Sequence, residues 1–409
     1  MMSAKMNVPE LRFGEFSGEW EEKRLGSISE KISDGIHSTP EYAEDGLYYF
    51  VNGNNLVNGK IRITNNTKKV NEEEYLKHKR QLGDNTILLS INGTIGNLAF
   101  FNNEKIVLGK SACYINIDEE KTNKYFINDI LKTSTVQNFF YSEVTGSTIK
   151  NLSLSTIKNT KLSLPSKPEQ EKIASFLSSV DSKIEQLSKK RTLLEQYKKG
   201  VMQKIFSQEL RFKEDDGSEF PEWVEKKLGD TLEVVVDNRG KTPPTTDFGI
   251  PLIEVNAIGN KEINYLKVSK YVTENTYKKW FRKYLKDGDI LFSTVGQTAI
   301  CSIYDESVKA VIAQNIIGLR FVNELNLFMY YLLTEIKNHH KFKRIEMGAV
   351  QPSIKVSQMI HINFYIPSLK EQTKIATFLS SLDKKIELTD KEFNATKEFK
   401  KGLLQKMFV

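Results

Sequence analysis

Between Pro168 and Phe206 apolar residues return every seven positions, at Ile173, Val180, Leu187, Leu194 and Val201, and Leu177, Ile184 and Ile205 follow three of these by four. That spacing keeps one stripe of a helix apolar and forms the seam of a coiled coil. Pro168 in the first turn, followed by Glu169 and Glu171, suits a helix start, because proline lacks the donor that would be orphaned there and carboxylates favour the positive dipole end. About 38 residues at 1.5 Å rise give a rod of about 57 Å, too long for one globe to cover, so its natural partner is a second helix. Residues 20–165 and 222–366 follow another pattern, with short β-like runs (LYYFVNG, TILLSING, SACYINI; then IPLIEVNA, DILFSTVG, IIGLRFV) between Asn, Gly and Asp turns. Helical stretches at 123–141 and 325–342 interrupt them, and each globe is expected to be mixed α+β.

The chain itself supplies the second rod. Residues 164–207 (LPSKPEQEKIASFLSSVDSKIEQLSKKRTLLEQYKKGVMQKIFS) recur as 366–409 (IPSLKEQTKIATFLSSLDKKIELTDKEFNATKEFKKGLLQKMFV), with 22 identities in 44 positions at a constant offset of 202. The second copy keeps Ile375, Leu379, Leu382, Ile386, Phe393, Leu403 and Met407 but has Thr389 and Thr396 in place of leucines, so its middle should pack less well. Upstream, WEEKRLG at 20–26 matches WVEKKLG at 223–229, and Leu11-Arg12-Phe13 matches Leu210-Arg211-Phe212. Inside the globes the match thins to ILLSING (87–93) against ILFSTVG (290–296) and Gly146-Ser147-Thr148 against Gly348-Ala349-Val350. The helices have been held alike while the globes drifted, which implies a shared job for the helices and a separate one for each globe.

Composition adds mainly exclusions. A chain of 409 residues with 39% hydrophobic positions and only 10 prolines can bury real cores, and its length suits two to four domains. Its net charge of +7, from 59 basic and 52 acidic residues, permits nucleic acid as a partner without demanding it. No apolar run approaches the length of a spanning helix and the first ten residues are polar, so no membrane association and a cytoplasmic location are expected. Cys113 and Cys301 form no CxxC and the five histidines no HExxH, which leaves no readable metal site. Gly109-Lys110-Ser111 and Gly240-Lys241-Thr242 resemble the end of a phosphate-binding loop, but the earlier glycine it needs is Glu104 in one and Val235 in the other. There is no GxGxxG, Pro243-Pro244 lacks the flanks of an amino-methyltransferase site, and Ser90 and Ser293 lie in no GxSxG elbow. A duplicated chain without a duplicated acid, base or metal set is expected to be a binding protein and not an enzyme.

The motif PSxxEQxKIAxFLSxxDxKIE, at 165–185 and again at 367–387, resembles the conserved helical region of specificity subunits of type I restriction-modification systems. The resemblance runs from about Val8 to Val409. It is most specific in the two helix motifs and the Trp20 and Trp223 starts, and loose in the globes, at 83–90 and 288–293. It implies an α+β chain with a pseudo-twofold internal repeat, in which two target-recognition globes are separated by two long antiparallel coiled-coil helices. The expected division is an N-terminal segment (1–19), globe one (20–165), helix one (166–207), a linker (208–221), globe two (222–366) and helix two (367–409). The implied function is to read a bipartite, asymmetric site on double-stranded DNA and to recruit two methyltransferase subunits and, in restricting systems, two restriction/translocase subunits. The chain itself would hold no cofactor: S-adenosylmethionine, ATP and Mg would be used by those partners. The physical reading agrees, since two half-sites on one duplex face lie about 34–36 Å apart or a multiple of it, and a rod of about 57 Å suffices as a ruler.

Base readout needs bidentate side chains on loops that reach the major groove. Candidates are Asn52, Asn54, Asn55, Asn92, Thr94 and Lys150 in the first globe, and Arg239, Lys241, Asn256, Gln297 and Gln351 in the second. Asn-Gly pairs such as 52–53 and 92–93 read equally well as plain hairpin turns. Lys278, Lys279 and Arg282 in YKKWFRKYLK, with Lys341 and Lys343, are candidates for phosphate contact; an amphipathic helix with Trp280, Phe281 and Tyr284 in the core is the structural alternative. Lys198, Lys199 and Phe206 recur as Lys400, Lys401 and Phe408, either to dock a methyltransferase subunit or to pack on the neighbouring globe. A competing class for the whole chain is a duplicated coiled-coil adaptor whose globes bind protein or carbohydrate.

Overall fold

The computed structural model describes residues 7–145, 150–238, 242–348 and 350–409. Both rods form continuous helices, Lys167–Phe206 and Leu369–Lys406. The chain divides into two compact units, one of Met1–Ser188 with Lys391–Val409 and the other Lys189–Asp390. Each unit thus holds one globe, the first part of the helix that follows it and the last part of the other helix. In the first unit Lys400 pairs with Asp181 (2.5 Å) and Lys183 with Glu392 (2.8 Å); in the second Lys198 pairs with Asp383 (2.5 Å) and Arg191 with Asp390 (2.8 Å). Partner numbers fall as the first numbers rise, so the helix portions within each unit run antiparallel. The apolar stripe is buried as its spacing requires: Ile173, Leu177 and Val180 share a core with Leu403 and Met407, and Ile375, Leu379 and Leu382 share one with Val201 and Ile205. Thr389 is buried at its seam position, and its hydroxyl is satisfied by donating to Lys385 O at 2.8 Å.

The repeated letters of the helix motif fasten each helix to its own globe. Gln170 Oε1 accepts from the Thr122 hydroxyl (2.5 Å) and Asn123 N (3.0 Å), while its amide donates to Pro165 O (2.9 Å). Gln372 repeats this, accepting from Leu325 N (2.8 Å) and donating to Pro367 O (3.0 Å). The neighbouring glutamates are sealed from solvent and held by the repeated Leu-Arg-Phe triplets: Arg12 donates through two nitrogens to Glu169 at 2.7 Å, and Arg211 to Glu371 at 3.0 and 3.4 Å. The triplet phenylalanines pack edge-on against the same helices, Phe13 on Phe176 and Phe212 on Phe378.

The two globes share the topology of their main sheets, and the first adds a short hairpin of Leu56–Val57 with Lys60–Ile61. Each has a four-stranded sheet, in the order Ser29–Asp34, Ala112–Ile117, Thr86–Ser90, Leu98–Phe100 in the first and Leu232–Val236, Ile316–Phe321, Ile290–Ser293, Cys301–Ile303 in the second. A small mixed sheet lies beside it: Lys69–Val70, Tyr48–Val51, Ile106–Leu108, matched by Tyr271–Val272, Ile250–Ile253, Val311–Ile312. The central strands are buried along almost their whole length because both faces are covered, and their middles are apolar. Ile87 and Leu89 face the core with Phe126 and Phe140, while Leu88 faces that of the small sheet with Val51 and Leu108; Ile290, Phe292 and Leu291 alternate likewise. Each expected helical stretch breaks in two. Thr133 caps Ser134–Ser142 after Lys124–Leu131, and Glu335 caps Ile336–Arg344 after Asn326–Thr334, accepting from Asn338 N at 2.9 Å.

Candidate nucleic-acid interface

In each globe the central strand ends at a fully buried serine, and the next loop is held by one repeated set of backbone bonds. In the first globe Ile91 N donates to Ser111 O (3.0 Å), Gly93 N to Lys150 O (3.1 Å), Leu152 N to Ile91 O (2.9 Å) and Gly96 N to Ser90 O (3.0 Å). In the second, Thr294 N donates to Asn315 O (2.8 Å), Gly296 N to Pro352 O (2.9 Å), Ile354 N to Thr294 O (2.8 Å) and Ala299 N to Ser293 O (2.9 Å). Ser90 Oγ accepts from Asn97 N and Ser293 Oγ from Ile300 N, so these serines secure the turn. The turn needs a left-handed residue at Gly96 (φ 86°) and at its counterpart Ala299 (φ 60°).

Two more loops meet this one. Tyr48–Val51 runs parallel to Ile106–Leu108, as Ile250–Ile253 does to Val311–Ile312, so in each pair both strands release their loops at the same edge. Ser111 Oγ donates to Asn52 Oδ1 (2.8 Å) and accepts from Gly53 N (2.9 Å), and Gly109 N donates to Val51 O (2.9 Å). A Cβ at Gly109 would lie 2.3 Å from Asn52 Oδ1, so the close approach requires glycine there. In the second globe Ala313 N donates to Ile253 O (2.9 Å), and a cavity of about 380 Å³ opens among Thr242, Glu254, Asn256, Lys270, Gln314 and Asn315.

These loops bring together most of the base-reading candidates. Asn54, Thr94 and Lys150 are exposed there, and Asn92 donates to Lys110 O at 3.4 Å. Asn52 and Asn55 instead hold the loop: Asn55 Oδ1 accepts from Asn52 N (2.9 Å) and its amide donates to Arg62 O (3.0 Å). Asn256, Gln297 and Gln351 are exposed on the matching loops, with Asn256 donating to Lys267 O at 3.1 Å. Arg239 and Lys241 lie outside the described residues. Lys278 and Lys279 stand exposed on the helix Glu274–Trp280 and Arg282 just beyond it, while Tyr277, Trp280, Phe281 and Tyr284 pack on Ile250, Leu252, Val272 and Val311. The amphipathic alternative therefore holds for the aromatics, although the helix stops at Trp280. Lys341 and Lys343 are committed within the fold. Lys341 donates to Asn363 O (2.8 Å), and burial pushes its pKa below the usual lysine value; Lys343 donates to Thr298 Oγ1 (2.7 Å) and pairs with Glu346. Two exposed loop residues escaped the sequence reading, Lys110 and Gln314. The signal for Lys110 was the Gly-Lys-Ser triplet, set aside as a failed phosphate loop.

The matched features near the helix ends separate by side chain. Lys198 and Lys400 are tied to Asp383 and Asp181, whereas Lys199 and Lys401 are exposed. Phe408 is buried against Trp20 and Phe126, and Phe206 packs on Trp223 and Phe328. Phe408 is a core residue, and Phe206 packs half-buried against the core of the other unit. In the second unit a cleft of about 420 Å³ lies beside Lys198, Lys199, Met202, Glu335 and Ile386.

A family model for the type I restriction modification DNA specificity domain matches residues 17–196 and 221–397. The type I restriction enzyme MjaVIII specificity subunit of Methanocaldococcus jannaschii is 25% identical over 421 aligned residues, covering 98% of this chain and 92% of that protein. The type I restriction-modification S subunit from M. genitalium superposes with a TM-score of 0.60 at 18% identity, over 98% of this chain and 99% of that one. A chain from structural work on complex assembly and conformational transition of the type I R-M system gives 0.57 at 15% identity, over 99% of both. At these identities the structural likeness speaks for the fold. Among the described residues no helix is long and apolar enough to cross a membrane.

Proposed function

The chain belongs to the type I restriction-modification DNA specificity family, and from that premise we propose that its two globes read the unlike halves of one bipartite, asymmetric site. Specificity subunits are the non-catalytic, DNA-recognising members of their complexes. The observation that carries the two-half reading is the repeated loop scaffold: the same backbone bonds recur in both globes, while the side chains on them differ, Thr94 against Gln297 and Lys150 against Pro352. A common frame with different reading groups suits two different half-sites, whereas a homodimer would present identical ones. The reading groups are Asn54, Asn92, Thr94 and Lys150 in the first globe and Asn256, Gln297 and Gln351 in the second, with Arg239 and Lys241 as further candidates. Lys278, Lys279 and Arg282 contact phosphate, giving affinity without sequence.

The functional division follows 20–165 and 222–366 for the readers and 166–207 and 367–409 for the helices. The helix pair sets the spacing between half-sites and carries two methyltransferase subunits, with Lys199 and Lys401 as equivalent exposed contacts. Where restriction subunits are present they join the same cytoplasmic complex. The test is duplex binding by the chain assembled with its methyltransferase subunits, followed against salt. Phosphate contacts release counterions, so log K should fall steeply and linearly with log salt, by about 0.9 per contact. Salt-insensitive binding, or none, would favour a protein or carbohydrate ligand.

A further inference from the structure

We infer that Lys110 and Gln314 are equivalent base-reading residues, Lys110 selecting guanine in one half-site and Gln314 adenine in the other. The inference rests on the two-half-site reading and adds to it two residues, their equivalence and the base each selects. The equivalence is structural. Leu108 and Ile312 end matched strands, each parallel to its neighbour, and Lys110 and Gln314 both stand two residues beyond. Each is exposed, and each has both neighbours pinned. Beside Lys110, Gly109 N donates to Val51 O, and Ser111 is held through its hydroxyl by Asn52 and Gly53 and through its carbonyl by Ile91 N. Beside Gln314, Ala313 N donates to Ile253 O, and Asn315 O accepts from both Thr294 N and the Thr294 hydroxyl.

A base reader needs a backbone that does not move and a polar end that the fold leaves at least partly free. Asn52 and Asn55 fail the second condition, because their oxygens hold the loop itself. Lys110 meets both: its ammonium has no partner among the described residues, while its carbonyl is fixed by the Asn92 amide. An ammonium donates well to O6 and N7 of guanine, which present only acceptors. Gln314 Oε1 accepts from the Thr242 hydroxyl at 2.7 Å, which orients the amide and leaves a second lone pair and both N–H groups for N6 and N7 of adenine.

The experiment selects duplexes from a pool randomised in both half-sites, using the full chain assembled with its methyltransferase subunits. Wild type, Lys110→Gln, Lys110→Ala and Gln314→Lys are compared. Lys110→Gln should turn one G·C preference into A·T in one half and leave the other half untouched; Lys110→Ala should leave that position without preference. Gln314→Lys should do the reverse in the other half. On the wild-type site each change should weaken binding about 5- to 150-fold, the range of a good bidentate pair. Uniform weakening with every preference retained would make Lys110 a phosphate contact and overturn the inference, as would no change. Failure of the wild type to enrich any split sequence would instead remove the two-half-site reading itself.

Discussion

Glu169 and Glu371 sit at the heads of the long helices with no solvent to stabilise their charge, and each depends on the arginine that precedes its globe. Removing one partner of such a pair strands the other, so Arg12→Ala should lower stability by about 3 kcal/mol in urea unfolding, and Glu169→Gln added to it should recover much of the loss. Recovery would separate a stranded charge from lost packing. Cys113 and Cys301 offer one reporter per unit. Burial pushes the Cys301 thiol up to about 12 and raises that of Cys113 as well. Neither should react with a thiol reagent at pH 8 until its unit opens. Because the folded thiols resist ionisation that the unfolded ones undergo, this contribution is complete below the unfolded pKa of about 8.5 and is lost as pH rises beyond it. Unfolding free energy should therefore decline above about pH 9, and a Cys113→Ser, Cys301→Ser chain should decline less.

Each long helix ends in the core of the globe that it does not follow: Phe408 lies with Trp20 and Phe126, and Phe206 with Trp223 and Phe328. Phe408→Ala should cost about 3–5 kcal/mol and expose Cys113 to the reagent well before Cys301, while Phe206→Ala should reverse that order. Equal acceleration of both thiols would mean that the units open together. The helices were legible because a seven-residue period held at five successive positions, in a segment repeated at a fixed offset, has few other readings. The breaks at Thr133 and Glu335 were not, because the apolar pattern continues across them and only a single capping side chain marks the turn. The repeated Glu-Gln and Leu-Arg-Phe letters were visible as repeats, but their pairing across 157 and 160 positions is a tertiary fact that no local pattern carries.

At the scale of the whole molecule, the two globes keep one loop frame while the side chains on it differ. Loop candidates such as Thr94 and Gln297 could be picked out by residue type, yet sequence alone did not separate them from Asn52 and Asn55, whose side chains are spent on the loop, or from Lys341 and Lys343, which are committed to Asn363, Thr298 and Glu346. Lys110 was hidden for the opposite reason, since its triplet resembled a motif that it does not complete. If the globes act independently, replacing residues 222–366 by the matching globe of another specificity subunit should alter one half of the recognised motif and leave the other half unchanged, as motif mapping would show. The most direct test of the central claim is methylome sequencing of cells that carry this chain with its methyltransferase subunit, set against cells lacking only this chain. The expected result is a split, asymmetric motif, methylated on both strands, that vanishes when the chain is removed. A methylome unchanged by its removal, with the methyltransferase shown to be expressed, would contradict the account.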